Sequence, residues 1–183
     1  MNIEELLART EIHQVLMRYC RAVDRGDVDE LRMVYHESGT DVHGTFTATG
    51  QEFAQHLVAK HDSVDLVDGV RLVSQHHITN VLVELVNTGA NVESYFIATQ
   101  PYQNPGEQPA VGLICGRYLD RFDYRDERWA ISERRIVIDW SRANIDGADW
   151  PGAAGFPVGG RREEDPSASF FQVSLDALNQ RGW

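Results

Sequence analysis

The chain has 183 residues, 42% of them hydrophobic, with 17 Lys+Arg against 28 Asp+Glu and a net charge of −11. That length suits one domain with a core large enough to need no staples. The acidic balance argues against nucleic acid or an anionic membrane as partner, and no apolar run approaches the roughly 18 residues of a spanning helix.

The opening "MNIEELLARTE" is acidic and polar, unlike a secretion signal. Residues 3–25 read as a helix, because Ile12, Val15, Leu16, Tyr19, Cys20 and Val23 recur at helical spacing. Gly26 is its expected stop, and Asp27 caps a second short helix, "VDELRMVYH", with Glu30 as the capping-box partner. "SGTDVHGTFTATG" reads as a short strand or hairpin, and "GQEFAQHLVAKHDSV" as a third helix.

The apolar period then changes from helical to two. Strands are expected over 70–86, 91–102, 109–123 and 128–141, joined by the turn signals "VNTGANV", "NPGEQP" and "DYRDERW". Short turns between long strands imply an antiparallel meander, and amphipathic helices need a sheet to cover them, so the expected class is α+β. Beyond residue 142 the chain is rich in Gly and Pro yet carries Trp150, Phe156, Phe170 and Phe171. We therefore expect a core domain over 1–142. The extension over 143–183 is expected to pack on a pocket mouth or a neighbouring subunit.

No phosphate-binding Gly-rich loop, nucleophile elbow or zinc spacing is present, so neither metal nor cofactor is expected. Cys20 and Cys115 each sit in apolar patterns, which points to free thiols and a reducing cytoplasm rather than a disulfide. Acid/base chemistry remains. Its candidates are Asp24 at the end of the first helix, Tyr19 on that helix's apolar stripe, one of His76 and His77, and one of Arg134 and Arg135. Strand alternation lets only one member of each adjacent pair face inward. An inward arginine needs a carboxylate or a substrate to offset the burial of its charge.

The segments "RYCRAVDRGDVDEL", "SQHHITNVLVEL" and "RWAISERR", in that order of elements, resemble the SnoaL-like branch of the nuclear transport factor 2-like superfamily over residues 3–142. The resemblance implies a cone-shaped barrel, a strongly curved antiparallel sheet wrapped on about three N-terminal helices around an internal pocket. Lyases of that group share an Asp–His dyad: scytalone dehydratase, hexachlorocyclohexane dehydrochlorinase and bile-acid 7α-dehydratase. "AVDRGD" places the Asp at Asp24, and "SQHHI" places the His at His76. A pocket Lys or Tyr of those relatives falls on Tyr19, and an inward arginine falls on Arg134. Scytalone dehydratase has a second pocket histidine where "SYF" puts Phe96, so a close scytalone dehydratase is not implied.

The expected function is a cofactor-independent lyase with His76 as base, Asp24 as its partner and Tyr19 as donor. Arg134, Phe96 and Val15 would bind a small hydrophobic, polycyclic or aromatic substrate. An isomerase or polyketide-type cyclase using the same pocket is the alternative, and a non-catalytic binding or structural subunit is a second. The resemblance also implies a homo-oligomer, a trimer ahead of a dimer.

Overall fold

The computed structural model describes residues 2–65, 73–143, 155–157 and 169. Three helices precede or interrupt the strands: α1 (Ile3–Arg25), α2 (Val28–Met33) and α3 (Gly50–Asp62). The strands are β1 (Tyr35–His43), β2 (Phe46–Thr49), β3 (Gln75–Val86), β4 (Gly89–Tyr102), β5 (Ala110–Arg125) and β6 (Arg128–Arg142).

Helix α1 starts on a capping box between Asn2 and Glu5 and stops at Gly26, whose left-handed φ of 67° suits a residue without Cβ. It buries Ile12, Leu16, Tyr19, Cys20, Ala22 and Val23, the predicted stripe with Ala22 added and Val15 only half-buried. Helix α2 ends three residues earlier than the sequence suggests. The Val34 carbonyl accepts from the Ile131 amide at 2.9 Å, and Tyr35 pairs with Ile131. Sheet pairing therefore takes these β-favouring residues out of the helix.

The strands form one six-stranded sheet in the order β2-β1-β6-β5-β4-β3. The expected meander from β3 to β6 is present, and every neighbour is antiparallel except β1 and β6, which run parallel. The sheet is thus mixed rather than purely antiparallel, and it is an open, curled cone rather than a closed barrel. The segment carrying α3 takes the chain to the far edge, and the meander returns to β1 in its own direction. Residues 70–72 of the strand expected over 70–86 lie outside the described residues.

One interruption sets the register of β3. Asn80, at φ 43°, is an extra residue between the pairs Thr79–Tyr95 and Val81–Ser94. The bulge switches alternation, so His76 and Ile78 face inward before it, and Val81, Val83 and Leu85 after it.

Candidate active site

Asp24 is the penultimate residue of α1, where the helix passes the exposed edge of β3. A strand edge leaves backbone groups unpaired, and α1 covers two of them. Arg9 donates to the Val83 carbonyl at 2.7 Å, and the His76 amide donates to Asp24 Oδ2 at 3.0 Å. Asp24 Oδ1 lies 2.6 Å from His76 Nδ1 and accepts from the Ser74 hydroxyl at 3.2 Å. Burial pushes the Asp24 carboxyl up, but the His76 ring and amide and the Ser74 hydroxyl together hold it below the usual carboxylate value. An ionised carboxylate only accepts, so Nδ1 of His76 carries a hydrogen, and in the neutral ring the lone pair is on Nε2. His77 is exposed on the opposite face.

The cavity in front of His76 holds about 60 Å³. Five strands contribute to its wall, including His76 from β3, Phe96 from β4, Tyr118 from β5, Ile136 from β6 and His43 from β1. Phe96 stacks on Tyr118 with ring centroids 4.5 Å apart. A Cβ at Gly116 would meet both the Val137 carbonyl and the Phe96 ring, so glycine there is what lets the stack form.

Tyr19 is 1% exposed and lines the cavity, edge-on to Tyr118 at 5.5 Å. Burial drives its phenol well up, so it stays protonated and can act only as a neutral hydrogen-bonding group at ordinary pH.

Arg134 departs from its expected role. It is fully buried, and its guanidinium lies 3.9 Å from the Tyr19 ring centroid and 4.1 Å from that of Tyr118. Nε and Nη2 donate to the two oxygens of Asp120 at 2.7 and 2.6 Å. Burial works against this charge and the Asp120 carboxylate more than offsets it, so Arg134 holds its proton even more firmly than usual. Arg134 does not line the cavity; it supports the rings that do. Val15 also stays off the cavity wall and packs against the core instead. One helical turn separates it from Tyr19, enough to carry its side chain past the pocket floor.

Three further lining residues stand out, of which His61 and His43 were not read from the sequence as site residues. His61, from the end of α3, accepts from the Gln100 amide at 2.6 Å, and burial, then the charges of His76 and Lys60, pull its ring down to about 4. His43 comes from β1, where its spacing of two from Asp41 was a usable sign of a shared face. Phe156 comes from the C-terminal extension. The Ile138 amide donates to the Pro157 carbonyl at 2.9 Å, and the Phe156 ring meets His43 edge-on at 5.3 Å. Trp150, Phe170 and Phe171 lie outside the described residues.

Residues 4–135 match the family model described as a SnoaL-like domain. The chain belongs to the SnoaL-like family. Solved structures with a similar fold include a candidate scytalone dehydratase from Novosphingobium aromaticivorans, 22% identical with a TM-score of 0.71, covering 88% of this chain and 100% of that one. A hexachlorocyclohexane dehydrochlorinase, LinA-type3 from Novosphingobium barchaimii, is 18% identical with a TM-score of 0.64, covering 78% and 93%. A protein from Kribbella flavida is 18% identical with a TM-score of 0.64, covering 75% and 95%. No curated protein matches in sequence. At such identities the structural neighbours share the SnoaL-like fold, and lyases are among them. Among the described residues no group of three or more His, Cys, Asp or Glu is arranged to hold a metal, and no helix is long and apolar enough to cross a membrane.

Proposed function

We propose that this SnoaL-like protein is a cofactor-independent lyase that eliminates water or another leaving group from a small hydrophobic, ring-containing substrate. The observation that carries this reading is the 2.6 Å contact between Asp24 and His76, whose imidazole opens onto an apolar cavity. Asp24 fixes the ring's orientation and tautomer. Nε2 then removes a proton from carbon next to an activating group. The electron pair left behind forms the new double bond as the leaving group departs from the adjacent carbon. Tyr19, kept protonated, donates a hydrogen bond to the activating carbonyl or the leaving group. Arg134 and Asp120 act indirectly by fixing the Tyr19 and Tyr118 rings.

Two structural neighbours bear the names of elimination enzymes, one losing water and one losing hydrogen chloride, which supports an elimination in this pocket. Scytalone and hexachlorocyclohexane are therefore the first probes for the purified protein. Product mass separates the outcomes: loss of water, loss of hydrogen chloride, or an unchanged mass that would instead indicate an isomerase. His76→Ala should abolish whichever turnover is found. Full activity in that variant would sink the mechanism.

A further inference from the structure

The cavity in front of His76 does not end the binding surface. Phe96, Ala98 and Gln100, two residues apart on β4, line it, and the next residue of that stripe, Tyr102, lines a second hollow of about 370 Å³. The facing helix makes the same passage. Leu57, Lys60 and His61 of α3 fall at helical spacing on the inner cavity, and Lys60 with Ser63, just past the helix end, lines the outer hollow. Lys60 and Gln100 therefore border both spaces, one from the helix and one from the strand. The inner space of about 60 Å³ is small for a ligand on its own, and the outer one extends it.

The lining changes character at this boundary. Rings and aliphatic side chains wall most of the inner cavity, the Phe96–Tyr118 stack among them, whereas Ser63, Tyr102, Gln103 and Asn104 line the outer hollow. These polar groups are already committed. The Ser63 hydroxyl donates to the Lys60 carbonyl at 2.7 Å and the Tyr102 hydroxyl to the Ala143 carbonyl at 2.5 Å. The Gln103 amide donates to Asp65 at 2.7 Å and the Asn104 amide to Glu107 at 2.8 Å. Lys60 differs: it is exposed, and among the described residues its ammonium makes no hydrogen bond or ion pair. It is also the only lysine of the chain, every other cation among the 17 Lys+Arg being arginine. An ammonium on an unbranched stem is a compact charge, which suits a narrow passage better than a planar guanidinium.

We propose that the substrate is amphipathic, a ring carrying a carboxylate-ended tail. The ring lies beside His76, and the carboxylate lies against the Lys60 ammonium where the two spaces meet. This rests on the elimination reading and names its substrate class. Lys60 is a binding residue: it neither takes a proton from the substrate nor gives one, and the ion pair fixes which end of the molecule enters first. Among the described residues no arginine and no second lysine lines either space, so one ammonium matches a singly charged carboxylate rather than a phosphate.

The test compares 5-phenylpentanoate with 5-phenylpentanamide, equal in length and ring but not in charge, on the full-length chain. In calorimetry near neutral pH and at low salt the acid should bind about tenfold tighter than the amide. Added salt should erode that difference. Lys60→Gln should bring the acid down to the affinity of the amide while leaving the circular dichroism unchanged, since the side chain is exposed. In the wild type, the acid and not the amide should slow amine-specific acetylation at Lys60, read by mass on the peptide that contains it. Equal affinity of the two probes, an acid preference that survives Lys60→Gln, or binding of neither overturns the proposal. These readings use no turnover, so such a failure leaves the elimination reading standing. Full turnover in His76→Ala beside an intact acid preference would sink the elimination reading alone.

Discussion

Asp24 meets His76 twice, through the ring nitrogen at 2.6 Å and through the backbone amide at 3.0 Å. One carboxylate thus caps the edge of a strand and orients the imidazole that the strand presents. Asp24→Asn should keep the fold, since an amide oxygen can still accept from the strand. It should lower turnover by about 10²–10⁴, because the amide no longer holds Nδ1–H as a carboxylate does. Circular dichroism alongside kcat separates the two effects. The folded Asp24 carboxyl lies below its ordinary value, so its contribution to stability is present above that value and lost as pH falls through the lowered one.

Asp120 and Arg134 form a buried pair with no exposure on either side chain. Removing one partner strands the other's charge. Asp120→Asn or Arg134→Met should each cost about 3–5 kcal/mol in urea unfolding. The double variant should lose much less than the sum, because it removes both charges together. Equal, additive losses would show that the two side chains act independently.

His61 sets a pH window for stability. Its folded value of about 4 lies below the ordinary 6.5, so the unfolded chain takes the proton first. Stability should fall as pH drops from roughly 6.5 towards 4, by up to about 3 kcal/mol from this group. His61→Gln removes the titrating ring and should flatten that part of the curve in melts run across the window. An unchanged slope would mean that other groups govern it.

Phe156 narrows the cavity in front of His76. The cavity holds about 60 Å³, well under the ~300–1,000 Å³ of typical ligand pockets. A Cβ on Gly44 would come within 2.6 Å of the Phe156 ring, so the aromatic side chain is closely seated. Phe156→Ala should enlarge the cavity and raise the fluorescence of an apolar naphthalene dye bound there. Lower dye binding in the variant would show that Phe156 builds the binding surface instead of filling it.

Much of the fold was legible in the chain. The helical stripe from Ile12 to Val23 and the period-two strands are local patterns, set by which side chains must leave water. The family segments pointed to Asp24 and His76, which the fold brings within 2.6 Å of each other, because a helix end and a strand start are places that a linear motif can mark. Val34 and Tyr35 were misread because sheet pairing with Ile131, nearly a hundred residues away, outweighed local helix continuation.

The sequence by itself determined the α+β class, the element order and that only one of two adjacent histidines could share a face with the core. Only the tertiary structure decided what each inward charge meets. Arg134 reads alike whether it awaits a substrate or a carboxylate, and it is the pairing of β5 with β6, which sets Asp120 opposite it, that gives it a protein partner. His43 and His76 lie on strands far apart in sequence, and no local pattern announces that they line one cavity. The curl of the sheet brings them together, because burying one apolar face around the helices bends it until its outer strands face each other.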